Sequence, residues 1–157
     1  MNILSSSHSS QAARLKAQWR QEMESLSDRE LVSPLSRDLD RAIEAYRQGR
    51  VALVSEWLRL TVAKFLTASE DYQSMRLQPV EVTTESVLGH RYLLDGIDYW
   101  LESLSLFQEG LEGEIDLVAI KEFAREGMKR LKFVESLREM FAPRVALFQA
   151  YQLKEVA

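Results

Sequence analysis

The chain has 157 residues, of which 46% are hydrophobic and 28% charged, and its formal net charge is −4 at pH 7. These values are ordinary for a single folded domain and exclude an intrinsically disordered chain. The sequence contains no cysteine, which excludes disulfide bonds, thiolate nucleophiles, iron–sulfur clusters and the common structural zinc sites.

The N-terminal stretch 1–10 is rich in Ser, and we expect it to form a flexible tail ahead of a single α-helical domain over 11–157. Through this domain, apolar residues recur at three- and four-residue intervals, which is the period of one helix face. The 3 prolines and 6 glycines leave little punctuation. The sequence therefore predicts an all-α, single-domain bundle of about five to seven helices around a central helix near 50–75.

The first predicted helix, residues 11–26, has a narrow apolar stripe. Leu15, Trp19 and Met23 keep helical spacing between charged residues, a pattern more typical of a coiled-coil seam than of a core face. Trp and Arg often anchor protein interfaces, and Arg20 follows Trp19 directly. We interpret these four residues as a candidate interface with a protein partner or a second copy. Intramolecular docking onto the central helix is the alternative.

The second and third predicted helices are separated by Gly49. Ser33 and Pro34 predict the start of the second helix, as N-cap and first helical residue. Gly49 either ends this helix or lies inside one long helix, and we favour a break there. The central helix that follows is so apolar that it must be covered on most sides. Its apolar residues form one face and a second set beside it: Val51, Val54, Leu58, Val62, Phe65 and Tyr72, then Leu53, Trp57 and Leu60.

An extended connector is predicted from Arg76, because Pro79 interrupts any helix there. Thr83 or Thr84 is expected to cap the next helix. Gly89 is expected to divide that helix, with the longer part running from about Arg91 to Glu109.

Asp116 is expected to cap a further helix. Ala124 and Gly127 are small, so this helix can approach a neighbour closely at those positions. Pro143 is expected to end it, and a short final helix is predicted over 144–153.

Acidic residues are concentrated in 77–116. Asp95, Asp98, Glu102 and Glu109 share one face of the predicted helix, and we consider two interpretations. The favoured one is the solvated face of an amphipathic helix, and the other is a docking face for a basic partner. A divalent metal is not expected, because hard cations need oxygens converging from several directions.

The predicted helix at 125–132 carries a basic stripe formed by Arg125, Lys129 and Lys132, with Arg130 beside it. Such a row can neutralise phosphates, which makes nucleic-acid binding a second alternative. Acidic residues are interleaved with it at ion-pair spacing, and the chain is acidic overall. Nucleic-acid binding is therefore not the favoured interpretation.

Catalytic motifs are absent from the sequence, including Gly-rich phosphate loops and paired histidines. The 2 histidines, His8 and His90, lack metal-ligand spacing, so no metal or cofactor is expected. Active sites assembled from distant residues leave no local trace, so an enzyme is disfavoured but not excluded. A small-molecule or catalytic pocket lined by Trp57, Tyr92, Tyr99 and Trp100 is the first alternative function.

Our prediction is a cytoplasmic helical protein-interaction or regulatory module that acts by helix-mediated docking and self-associates or binds a protein partner. No stretch has the ~18 apolar residues of a membrane span, and the N-terminus has no signal-peptide pattern. We therefore expect no membrane association. The sequence does not identify the partner or the oligomeric state, and it does not decide whether a small molecule binds.

Overall fold

The computed structural model describes residues 3–74 and 83–137, with the side chains of 3–9 left out. Within these ranges the chain forms five α-helices and no strand, which confirms the predicted all-α bundle. The predicted connector over 75–82 and the predicted features beyond 137, including the final helix, lie outside the described residues. The helices are α1 (Ile3–Glu24), α2 (Pro34–Arg47), α3 (Val51–Ser74), α4 (Thr84–Gly110) and α5 (Leu117–Ser136).

Three helices begin at the N-caps that the sequence predicts. The Ser36 amide donates to Ser33 Oγ at 3.1 Å, and the Ser33 amide donates to Ser36 Oγ at 2.8 Å, which together form a capping box. Thr83 starts α4 in the same way. At the start of α5, Asp116 Oδ1 accepts a hydrogen bond from the backbone amide of Ala119 at 3.0 Å. Each cap satisfies backbone donors that the first turn of a helix leaves unpaired.

Two glycines behave differently. Gly49 has a φ of 79°, a left-handed conformation that only glycine adopts without strain, and it separates α2 from α3 as predicted. Gly89 lies inside α4, which runs unbroken through it, so the expected division of that helix at Gly89 is wrong.

The first helix begins at Ile3, and not at Gln11 as expected, so its backbone extends through residues that the sequence analysis assigned to a tail.

The helix at the centre of the bundle is α4, and not the predicted helix near 50–75. It packs against α1, α3 and α5, whereas α3 packs mainly against α2 and α4. The inward stripe of α4 is almost fully buried. Its members are Leu88, Leu93, Ile97, Trp100, Leu104 and Phe107.

The expectation that α3 is covered on most sides is also wrong. Its inner face is buried through Val54, Leu58 and Phe65, but Leu53 is 57% exposed and Leu60 is 47% exposed. The set predicted to widen the buried face therefore lies at its edge. Composition alone led to the error, because a wide apolar surface does not say which part of it a neighbouring helix covers.

Among the described helices, α4 and α5 share the most extensive contact, and small residues permit it. A Cβ placed on Gly127 would lie 2.6 Å from Trp100 Cδ1 and 2.9 Å from the carbonyl oxygen of Gly96. Ser103 on α4 also donates to the carbonyl oxygen of Ile120 on α5 at 2.6 Å. The sequence-based expectation of a close approach at Gly127 is confirmed.

In the described ranges, none of the helices combines the length and the apolar character needed to cross a membrane.

Candidate functional site

The four residues predicted as an interface on α1 take different positions. Trp19 is 4% exposed and Met23 is 2% exposed, so both belong to the core of the chain. The Trp19 ring makes edge-on contacts with Tyr92, at 5.8 Å between ring centres, and with Phe133, at 5.4 Å. The apolar stripe of α1 therefore docks within its own chain, as the alternative interpretation has it, but it packs on α4 and α5 and not on α3.

Ion pairs hold α1 and the turn after it against α5. Lys129, which is itself buried, donates from Nζ to Glu24 Oε2 at 2.8 Å and to Glu126 Oε1 at 3.1 Å. Arg125 pairs with Asp28, just beyond α1. Of the other two residues of the predicted interface, Leu15 is half-buried and Arg20 is exposed. Trp19 and Met23 are buried, so a partner cannot reach them while α1 is docked.

The basic stripe of α5 is neutralised within the chain. In addition to Lys129 and Arg125, Arg130 pairs with Glu126 at 2.9 Å and Lys132 lies 3.7 Å from Glu135. Hydrogen bonds from Arg130 and Lys129 lower the pKa of Glu126 even though burial acts to raise it. A surface that binds phosphates needs unpaired cations, so this arrangement gives no support to nucleic-acid binding.

The four aromatic residues of the predicted pocket do not converge on one cavity. Trp100 is fully buried and stacks on Phe65 with ring centres 5.9 Å apart. Tyr92 packs in the cluster with Trp19, whereas Tyr99 contacts Phe123. Trp57 lies on α3, half-buried at the edge of the core. Trp100 and Tyr92 pack in two different parts of the core, and Trp57 and Tyr99 lie at its edge on different helices, so the four rings give no support to one shared small-molecule pocket.

Metal binding has no support in the part of the chain that the structure describes. Its His, Asp and Glu side chains include no group of three or more arranged to hold an ion. His90 lies half-buried in the first half of α4.

A shallow groove of about 420 Å³ lies between α4 and α5 and carries part of the predicted acidic face. The carboxylates of Asp95, Asp98 and Glu102 line one side of it. The rest is lined by Tyr99, Phe123 and Arg130. Glu109 is exposed near the end of α4 and is not part of the groove.

Two aromatic rings line this groove, and we call Tyr99 and Phe123 its aromatic floor. The Tyr99 and Phe123 rings lie 6.2 Å apart and tilted by 33°, and the Arg130 guanidinium lies 4.2 Å from the centre of the Tyr99 ring. Glu126 fixes Arg130 from the other side through its carboxylate and its backbone carbonyl, both at 2.9 Å. Arg130 is therefore a neutralised part of the wall, held by ion pair and cation–π contact.

The carboxylates of the acidic face are not neutralised. Asp95, Asp98, Glu102 and Glu109 form no ion pair with any residue whose side chain the structure describes, in 10–74 and 83–137. Partial burial raises the pKa of Asp98, and the nearby charge of Asp95 raises it further. Both effects favour the neutral acid form of Asp98, and a cation bound beside these carboxylates would act in the opposite direction.

Sequence reasoning found the acidic side of this groove but missed its floor and far wall. Phe123 and Arg130 lie on α5, and only the packing of α5 against α4 brings them to Tyr99. The presence of Tyr99 within the acidic run was the one local indication. Comparison with protein-family models, curated proteins and solved structures finds no match to this chain, so the functional argument rests on the chain's own residues.

Proposed function

We propose that this protein is a helical interaction module that docks a basic segment of a protein partner in the groove between α4 and α5. The observation that carries the proposal is the asymmetry of charge on this side of the bundle. Each cation of the α5 basic stripe has a carboxylate partner within the chain, whereas Asp95, Asp98 and Glu102 have none among the described residues. Charge that the fold leaves uncompensated is available to a partner.

The aromatic floor supports a peptide as the ligand in preference to a simple cation. Aromatic faces attract ammonium and guanidinium groups and pack well against the apolar stems of Lys and Arg. A segment carrying Lys or Arg would place its charges against the three carboxylates and its stems on Tyr99 and Phe123. Steering by the acidic face would speed association and make it sensitive to salt. A cytoplasmic location remains a separate proposal, which rests on the sequence and not on the groove.

Binding of fluorescently labelled oligolysine, followed by anisotropy at several salt concentrations, tests this function. The site variant Asp95→Asn, Asp98→Asn, Glu102→Gln removes the three groove charges without changing side-chain size. We expect its dissociation constant to rise about tenfold, equivalent to about 1.4 kcal/mol.

A matched control removes the same number of charges elsewhere on the surface. Asp40, Glu70 and Glu114 are exposed and lie outside the groove, so the variant Asp40→Asn, Glu70→Gln, Glu114→Gln has the same net charge as the site variant. We expect it to weaken oligolysine binding no more than about twofold, through the general field of the protein. Equal weakening in both variants would show that only net charge matters and would refute the groove as a docking site.

A further inference from the structure

The outer edge of α3 carries a compact set of apolar side chains. Among the described residues, four of the seven exposed large hydrophobic side chains belong to α3. Scattered exposed apolar residues are normal on any protein, but Leu53 and Leu60 flank the half-buried Trp57 at spacings of 4 and 3 residues. That is the spacing of a coiled-coil seam. We call Leu53, Trp57 and Leu60 the outer stripe.

The outer stripe lies beside the face that α3 uses within its own chain. Val54, Leu58 and Phe65 point into the core, about a third of a turn away at 3.6 residues per turn. The helix therefore has one apolar face covered by α2 and α4, and a second apolar edge that no described helix covers. A helix of this kind can pack against another helix without changing its own fold.

The charges that border the outer stripe decide the orientation of such a second helix. Glu56 is exposed and held by Arg59 at 2.6 Å, and the hydrogen bond and charge of Arg59 lower the pKa of Glu56. Lys64 is exposed and makes no ion pair with any residue the structure describes. Glu56, which is paired with Arg59, thus lies between Leu53 and Trp57, and Lys64 lies about one helical turn beyond Leu60.

We propose that the outer stripe is a self-association surface, on which α3 of a second copy packs in antiparallel orientation about a twofold axis. With the axis between Leu58 and Arg59, Trp57 of each copy packs on Leu60 of the other. Lys64 then lies level with Leu53 of the second copy and within one helical turn of its Glu56, at 1.5 Å rise per residue. The surface is self-complementary, as a twofold interface requires.

A parallel arrangement is disfavoured by the same charges. It would place Glu56 beside Glu56 and Lys64 beside Lys64, and like charges across a helix pair are destabilising. The antiparallel pair replaces both repulsions with two equivalent attractions. This self-association uses a different helix from the acidic groove and does not depend on the proposed docking of a basic partner.

The dimer is expected to be weak. A single helix pair buries less than the roughly 1,200 Å² of a standard stable interface, so association should depend on concentration. Sedimentation velocity on the full chain from about 5 to about 500 µM should show the mass rising from one chain towards two, as micromolar-range affinity requires. A mass of one chain across the whole range would overturn the proposal.

Two leucines on α3 provide a matched pair of variants. Leu60→Glu alters the outer stripe, whereas Leu66→Glu alters a leucine that is similarly exposed, at 49%, and that lies about a third of a turn away from Leu60. We expect Leu60→Glu to raise the dissociation constant at least tenfold and Leu66→Glu to change it less than about twofold, with circular dichroism showing unchanged helix content. Equal effects of the two variants would overturn the outer stripe as the interface.

A charge exchange tests the antiparallel orientation without altering an apolar residue. Lys64→Glu should weaken the dimer, because the new carboxylate would face Glu56 of the second copy. Adding Glu56→Lys to the same chain restores opposite charges and should recover most of the lost affinity. A double variant that remains as weak as the single variant would overturn the antiparallel pairing.

Discussion

At the scale of single residues, the contact between α4 and α5 depends on the missing side chain of Gly127. Gly127→Ala should lower the free energy of unfolding by about 1–3 kcal/mol, because overpacking a tight contact forces backbone shifts. The new methyl group would meet the Trp100 ring and the Gly96 carbonyl oxygen closer than 3.0 Å. The better helix propensity of Ala returns only about 1 kcal/mol. Urea unfolding followed by circular dichroism measures the difference.

Gly113→Ala is the control for this substitution, because a Cβ there would meet nothing within 4 Å. Removing a glycine from a turn without strain leaves stability unchanged or raises it by about 0.4–1 kcal/mol. If Gly127→Ala proved as stable as Gly113→Ala, the helices would be less closely packed than described.

The residues that the sequence predicts correctly are those whose role is decided locally. Ser33, Thr83 and Asp116 cap helices through bonds to residues three positions away, so their identity and spacing suffice. The partners of Gly127 on α4 and the place of Trp19 in the core depend on which helices meet. A periodic pattern shows that a residue faces a neighbour but does not say which neighbour, and the acidic groove was only half predicted for the same reason.

At the scale of elements, the junction between α1 and α5 is a network of charges around Glu126, which accepts hydrogen bonds from Lys129 at 3.1 Å and from Arg130 at 2.9 Å. Burial acts to raise its pKa, but the hydrogen bonds prevail and the pKa lies below the usual 4.5. As pH falls, the unfolded chain therefore binds a proton at this residue before the folded chain does. The stabilisation from Glu126 is complete well above pH 4.5 and is lost as pH falls through its lowered pKa.

Glu126→Gln should therefore cost stability near neutral pH and little in acid. We expect a loss of about 1 kcal/mol at pH 7, as for a partly exposed charged hydrogen bond. The difference from the unsubstituted protein should shrink as pH falls below 4.5, the usual pKa of this carboxyl. Urea unfolding at a series of pH values measures it. Glu122→Gln, on the exposed side of the same helix, should change stability by less than about 0.5 kcal/mol at every pH. A loss at Glu126 that did not vary with pH would contradict a lowered pKa.

At the scale of the whole molecule, the basic stripe of α5 and the acidic face of α4 differ in their ion pairs. Lys129 and Arg125 of α5 attach α1 and the turn that follows it, and the other two cations of the basic stripe pair within α5. The carboxylates of the acidic face of α4 remain on the surface, and three of them line the groove with the aromatic floor. The apolar residues are divided in the same way, with the stripe of α1 buried inside the chain and the outer stripe of α3 left uncovered. The two surfaces that we propose for binding, the groove and the outer stripe, therefore lie on α3, α4 and α5, and not on the helix whose sequence most resembles a coiled-coil seam.

Trp19→Ala tests this division directly. Because Trp19 is 4% exposed and packs on Tyr92 and Phe133, the substitution should lower the free energy of unfolding by about 3–5 kcal/mol, as for other buried Trp truncations. Arg20→Ala, at the exposed neighbouring position, should cost less than about 0.5 kcal/mol. Sedimentation under native conditions should give the same mass as the unsubstituted chain at each concentration, because α1 takes no part in the proposed α3 contact. A Trp19→Ala variant that kept its stability but lost self-association would instead place the interface on α1 and remove Trp19 from the core.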